Sequence, residues 1–304
     1  MSAGRALIAT LAVAAALAAT ACSALAGQQP ENLPWPQLLP SLPVSTAVQP
    51  HGVPHCRRAS LRCMDGLLAR LRRQWRRLDA SCDHRALFSL AYIRITEGLR
   101  DDLALAHPKI FRYRRWFTYV IADFSNRYFR EFANYAHGRP VPQSWKIAYD
   151  EAAHGDANAG QDVLLASNAH TQHDLPYIYA EMGMRTPAGA SRKHDHDGVN
   201  EVNARVFRGL EDEYKQRYDP FFKWVEMSSP LDQIGTGEMV KGWREGAWRN
   251  AERLMNAKTP AERRQVEQSI ETTSTVWAHA IRSGDVPGYR AQRDAYCRAQ
   301  HGGH

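Results

Sequence analysis

The stretch Val163–Ala180 limits the fold more than any other part of the chain. Two apolar runs, Val163-Leu164-Leu165-Ala166 and Tyr177-Ile178-Tyr179-Ala180, flank the polar string Ser167-Asn168-Ala169-His170-Thr171-Gln172-His173-Asp174. The whole predicts one long helix, about Ala159 to Met182, kinked near Pro176, because proline lacks an N–H and crowds the preceding turn. Residues four apart share a helix face, so His170 and Asp174 point the same way with His173 beside them. Two imidazoles and a carboxylate on an apolar helix are costly to bury unless a partner satisfies them. A metal ion meets that need, and so does a hydrogen-bonded network. The expected site is therefore an interior pocket.

Beyond that stretch, apolar residues recur at spacings of three and four. The predicted helices cover residues 60–80, 83–107, 111–136, 145–153, 199–218, 234–255, 259–283 and 287–299. The third carries a dense aromatic stripe from Phe111 to Tyr135, which at helical spacing predicts core. Gly235, Gly237, Gly242 and Gly246 weaken the helix over 234–255 unless close packing compensates. No period-2 run of useful length appears. The expectation is an all-α fold, a single multi-helix domain of about eight or nine helices behind an exported N-terminal segment.

The N-terminus reads as a targeting segment over residues 1–26. Arg5 precedes an apolar run from Ala6 to Ala21. Two processing sites compete. Ala24-Leu25-Ala26 fits an A-x-A cleavage site, and Ala19-Thr20-Ala21-Cys22 resembles a bacterial lipobox with Cys22 acylated. Either way the mature chain leaves the cytoplasm, as a cell-envelope lipoprotein or as a secreted or periplasmic protein. Residues 27–58 hold seven prolines between Pro30 and Pro54 and predict an extended tether before a domain at 59–304.

Export makes Cys56, Cys63, Cys82 and Cys297 candidates for two disulfides. Cys63 and Cys82 lie near opposite ends of the predicted helix 60–80, roughly 28 Å apart along its axis at ~1.5 Å per residue. A disulfide needs Cα atoms within about 7 Å. The pairing expected is Cys56–Cys63 and Cys82–Cys297.

The formal net charge is +7, and arginines crowd residues 57–77. That face suits an anionic partner, or is simply solvated. No nucleic-acid module accompanies it. A membrane partner is expected through the lipid anchor if Cys22 is acylated.

Three constellations are candidates for chemistry. His170, His173 and Asp174 have donor types that suit a divalent metal such as Zn²⁺, whose bound water can become a nucleophile. His194-Asp195-His196-Asp197 reads as a polar loop ahead of the helix from 199. There Asp195 or His196 would complete a metal sphere or act as general base on a small-molecule substrate, and Asp197 would cap the helix. Asn168, Asn200 and Arg244 are candidates to hold substrate. Arg244 and Trp248 are four apart and are expected to stack. Thr96 and Glu97 are further cleft candidates. No G-x-S-x-G, Gly-rich phosphate loop, C-x-x-C-H or H-E-x-x-H occurs, which weakens serine hydrolase, NTPase, c-type cytochrome and zincin readings.

The Asn168-Ala169-His170-x-x-His173-Asp174-Leu175-Pro176 string resembles the signature of an uncharacterised bacterial family of helical proteins. Asp195, Val199-Asn200, Arg244-x-x-Ala247-Trp248 and the Tyr92–Thr96 segment match further elements of that family's pattern. The resemblance spans roughly residues 75–280 and implies a shared helical fold without an activity. A weaker likeness is to the helical zinc-dependent phospholipase C and nuclease group, which also uses a His-x-x-x-Asp pair. Those enzymes bind metal through a mature N-terminal tryptophan, which this proline-rich N-terminus does not match. These features leave two functional expectations: a metal-dependent hydrolase of an ester or phosphoester, or a non-catalytic envelope protein with a structural His/Asp network.

Overall fold

A computed structural model of the chain describes residues 33–44, 46–106, 110–223 and 235–301. The expected leader and the expected lipidation site Cys22 lie outside them. Among the described residues the elements are helices, with two isolated bridges and no strand. They are α1 (Trp35–Leu38), α2 (Leu61–Ala80), α3 (Arg85–Ala104), α4 (Arg114–Ala136), α5 (Gln143–His154) and α6 (Ala159–Asn168). A π-helical segment (Ala169–Asp174) then leads into α7 (Leu175–Met182), α8 (Lys193–Arg217), α9 (Thr236–Asn256), α10 (Pro260–Arg282) and α11 (Tyr289–His301). The fold is the expected all-α one, a single multi-helix domain.

The elements start where local chemistry lets them. Ser60 accepts the Cys63 amide at 3.2 Å and starts α2. Thr259 and Glu262 form a reciprocal capping box behind Pro260, and Asn158 and Gln161 do the same for α6. Asp83 Oδ1 accepts the Arg85 amide at 2.9 Å from two residues ahead of α3, one before the N-cap position held by His84.

Three expectations need correction. First, the kink at Pro176 is taken up one turn earlier, as the π segment 169–174. The proline has no N–H to offer and its ring crowds the carbonyl region near Gln172, and a wider turn relieves both. Second, His194–Asp197 is not a loop but the first turn of α8, which begins at Lys193. Gly198 marks no helix start. It is a close-packing point, where a Cβ would stand 2.2 Å from Ile110 Cγ2. Third, α4 begins at Arg114 rather than Phe111, because the Asp195 carboxylate accepts the amides of Arg112 (2.9 Å) and Tyr113 (2.7 Å) ahead of it.

The core is built around α3, α6, the π segment and α7. Leu87, Leu90, Ala91, Leu164, Leu165, Ala169 and Ile178 are buried there. Much of the aromatic stripe of α4 is core as expected: Trp116, Phe117, Tyr119 and Tyr128 are buried. Both disulfides have the expected pairing, Cys56–Cys63 and Cys82–Cys297. The second ties α11 to the turn between α2 and α3.

The proline-rich stretch is extended apart from α1, yet it lies against the domain. Leu33 N and Trp35 Nε1 donate to Glu238, Leu42 N donates to Glu252, Arg249 Nε donates to Leu39 O, and Asn256 Nδ2 donates to Pro43 O. All four partner side chains lie on α9. Gly242 makes the approach possible, since a Cβ there would meet the Trp35 ring at 2.8 Å. Gly237 and Gly246 face open space, so close packing explains only one of these helical glycines.

Candidate functional site

His170, His173 and Asp174 do converge, with Asp174 at the centre. Its Oδ2 accepts from His170 Nδ1 (3.0 Å) and from Trp145 Nε1 (3.0 Å), and its Oδ1 accepts from His173 Nδ1 (2.9 Å). His173 Nε2 faces Glu271 Oε2 on α10 at 3.2 Å, and Glu271 Oε1 accepts the Gln143 amide at 2.7 Å. The network therefore ties the π segment to α5 and α10. His170 is 2% exposed and Asp174 1%.

These contacts set the protonation states. Burial works against a charge on Asp174, but the hydrogen bonds from His170 and His173 outweigh it and hold the carboxyl below its usual range. Burial also works against a charge on His173, yet its bonds to Asp174 and Glu271 raise it to about 9. For His170 burial wins and its pKa falls, although Asp174 pulls the other way. At neutral pH the row is thus a carboxylate between one imidazolium and one neutral imidazole. The neutral ring donates from Nδ1, which leaves a lone pair on Nε2. That atom is buried and has no hydrogen-bond partner among the described residues. The Phe124 ring stacks on His170 at 3.4 Å, and Tyr92, Trp145, Phe88 and Tyr128 surround it with ring centroids 5.1–6.0 Å away.

The second constellation is built around His196, which is 1% exposed. Its Nδ1 lies 2.7 Å from Tyr179 OH and 3.4 Å from Arg244 Nη2. An arginine only donates, so Nδ1 is the acceptor and the ring proton sits on Nε2. Burial and the nearby cations Arg244, Lys193 and Arg249 push this imidazole well below its ordinary pKa. Arg244 also donates to the His196 carbonyl and, through Nε, to Asn200 Oδ1 at 2.9 Å. The expected stacking of Arg244 on Trp248 is not among the described contacts. Lys193 lies over that ring instead, 5.9 Å from its centroid.

Asp195 spends both carboxylate oxygens on the amides ahead of α4. Asn168 donates to Ser274 O (2.8 Å) and accepts from Gln172 (2.6 Å), which joins the π segment to α10. Thr96 bonds to Tyr92 O, and Glu97 pairs with Arg72 and Arg94. Among the described residues no hydrogen bond or ion pair links the His170 network to the His196 cluster.

Two groups of described residues bring three ligand-type atoms within 4.8 Å of one another: Cys82, Cys297 and His301, and His196, Asp197 and Glu245. The two sulfurs of the first are joined as a disulfide. In the second, the Lys193 ammonium bridges Asp197 and Glu245, and Arg249 also pairs with Glu245. Cationic side chains already stand where a metal ion would sit. His170, His173 and Asp174 do not form such a group, because the imidazoles address opposite oxygens of the carboxylate. A groove of about 480 Å³ between α2 and α3 is lined by Asp65, Leu68, Arg72, Glu97, Arg100 and Asp101, none of which touches this network.

The profile of the Family of unknown function (DUF5995) matches residues 64–284, most of the chain. The chain belongs to this family. The matched stretch contains both constellations and ends before α11. Three of the four disulfide cysteines, Cys56, Cys63 and Cys297, lie outside it. No curated protein and no solved structure matches the chain.

Sequence reasoning missed Trp145, Tyr179, Lys193, Glu245 and Glu271. Lys193 stands three residues before His196 on α8, a helical spacing that could have pointed to it; the other four reach their clusters from different helices, with no spacing signal relative to the histidines.

Proposed function

We propose that this member of the family is an exported, non-catalytic protein of the cell envelope, and that its His170–Asp174–His173 row is a structural lock. One observation carries the reading. Both oxygens of Asp174 and both nitrogens of His173 are saturated by protein partners, which join the π segment to α5 and α10. A buried carboxylate and imidazole satisfied this fully hold neighbouring helices in register. Export rests on the leader-like residues 1–26, and anchoring rests on Cys22. The basic face of α2 is then the surface left to meet an anionic partner.

A second reading has one observation in its favour. His170 has its Nδ1 oriented by a carboxylate and its Nε2 lone pair unpartnered, which is how imidazoles that hold a metal are prepared. In that reading the protein is a metal-dependent hydrolase of an ester or phosphoester. His170, His173 and Asp174 serve as ligands, Asp195 or His196 as base, and Asn168, Asn200 and Arg244 hold a small-molecule substrate.

Metal analysis of protein purified without a histidine tag separates the two. The structural reading expects no stoichiometric metal and a melting temperature that chelators do not move. It also expects His170→Ala to lower that temperature. Stoichiometric metal that is lost in His170→Ala establishes the second reading. Cell fractionation and mass spectrometry of the mature N-terminus test export and acylation independently.

A further inference from the structure

Among the described residues, the solvent side of α2 has no partner. Arg62, Gly66, Ala69, Arg73, Arg76, Arg77 and Ala80 follow the three–four spacing of one helix face, and all are exposed. The opposite face, with Cys63, Met64, Leu67, Leu68, Leu71 and Leu78, is buried. Arg57 and Arg58 extend the exposed side just ahead of the helix. Among the described residues, Arg57, Arg58, Arg62, Arg73, Arg76 and Arg77 pair with no carboxylate. Some arginines elsewhere do pair, Arg85 with Asp83, Arg127 with Glu181, Arg205 with Asp102 and Arg263 with Glu267, and those outside α2 that pair with no described carboxylate, such as Arg112, Arg139, Arg208 and Arg264, are scattered along the sequence rather than set in one row. The two carboxylates of α2 are turned away from the stripe, Asp65 to Arg100 and Asp79 to Tyr218, Arg217 and His301.

The stripe is rigid. The Cys56–Cys63 disulfide fastens the Arg57-Arg58 lead to the first turn of α2, Ser60 caps that turn, and Tyr119 OH donates to Arg57 O at 3.3 Å. A 20-residue helix presents a straight edge about 30 Å long. Its middle, at Gly66 and Ala69, carries no bulk. Leu61, 38% exposed, stands at the N-terminal end of the helix, flanking the arginine row about 100° around the axis from Arg62. No lysine stands among them, since the first in the chain is Lys109. Arginine is the cation that grips phosphate in two-pronged fashion.

From this geometry we infer that α2 is a membrane-docking edge that lies flat on the phosphate plane of an anionic phospholipid surface, with Leu61 entering the headgroup layer. The straight, unpaired arginine row matches a flat field of phosphodiesters, and an apolar residue at its end suits a bilayer better than a polyanion in water. The inference rests on the export reading only for which leaflet is met. The surface itself belongs to the fold.

The test uses the whole chain, produced without acylation, and vesicles of phosphatidylcholine alone or mixed with phosphatidylglycerol. Wild type is compared with Arg62→Glu/Arg73→Glu/Arg77→Glu and with the same three positions changed to Lys. Each basic residue near such a surface strengthens partitioning roughly fivefold, so losing three, with the added repulsion of the glutamates, is expected to weaken binding by at least about a hundredfold. The Lys variant keeps most of the binding, and raised salt abolishes it. Any contribution of the apolar leader is common to all three proteins and indifferent to phosphatidylglycerol. Equal binding by wild type and the Glu variant overturns the inference. So does binding to a DNA duplex that the Glu variant loses while vesicle binding is absent in all three. Fractionation that finds the protein in the cytoplasm would end the export reading and leave the vesicle result standing.

Discussion

Asp174→Asn removes one negative charge from the centre of the buried row and changes little else. The amide keeps one acceptor oxygen but turns an NH₂ toward a ring N–H, and His173 loses its closest counterion. Hydrogen bonds to a charged group contribute about 1.5–3 kcal/mol each, and breaking a buried pair from one side costs about 3–5 kcal/mol. Glu271 still faces His173, so the upper end is not reached by adding all three bonds. The expected loss is about 4 kcal/mol, or roughly 10 °C in melting temperature for a domain of this size. Urea unfolding followed by circular dichroism at neutral pH reads it as a lower midpoint at unchanged slope. The pH dependence is a sharper signature. His173 is raised from 6.5 to about 9, so its contribution is complete below pH 6.5 and is lost as pH rises through about 9. That shift corresponds to about 3 kcal/mol, which is part of the loss above and not additional to it. Asp174 is lowered from 3.8, so its contribution is present above that pH and lost as pH falls through its depressed value. Wild-type stability should therefore decline from pH 6.5 to 9, whereas the variant is lower and flatter over that window; below pH 6.5 the lowered pKa values of His170 and His196 leave the unfolded chain the better proton acceptor, so stability also falls on acidification. A loss below about 1 kcal/mol, or an identical decline in the variant, would refute the lock.

Three further outcomes follow from the packing. Asp195→Ala strips the amides of Arg112 and Tyr113 of their acceptor and should cost about 2–3 kcal/mol in urea unfolding, and a change under about 0.5 kcal/mol contradicts the capping role. Removing Cys82–Cys297, which spans 215 residues, should cost about 5 kcal/mol by loop closure, against about 2 kcal/mol for the 7-residue span of Cys56–Cys63. Melting of the two paired Cys→Ala variants checks the order, and the reverse order counts against it. Gly242→Ala adds a Cβ that meets the Trp35 ring, so limited proteolysis should cleave before residue 45 faster while global stability stays level or rises by about 1 kcal/mol. Unchanged cleavage would mean that the N-terminal stretch is held by something other than this contact.

The helices were readable because their apolar residues recur at three and four and their starts carry caps such as Ser60 and Thr259. Both disulfides were readable because the 60–80 helix separates Cys63 from Cys82. The start of α8 was not. His194–Asp197 looks like a polar loop, but Asp195 is buried to hold the start of α4 and His196 to bond Tyr179 and Arg244, contacts that only tertiary packing creates. The π segment was hidden for a related reason: Pro176 announces a disturbance, but the chain chooses where to place it. The convergence of His170, His173 and Asp174 followed from their spacing. The saturation of His173 and Asp174 did not, because Trp145 and Glu271 arrive from α5 and α10 with no local mark.

The central claim is that this row is a structural network, with Asp174 and His173 saturated by protein partners and His170 held by Asp174. Imidazole ¹⁵N NMR at neutral pH reads it directly. The account predicts His173 protonated on both nitrogens and His170 neutral with its proton on Nδ1, and neither signal moving on addition of Zn²⁺ or a chelator. A His170 Nε2 resonance that shifts stoichiometrically with metal would contradict it.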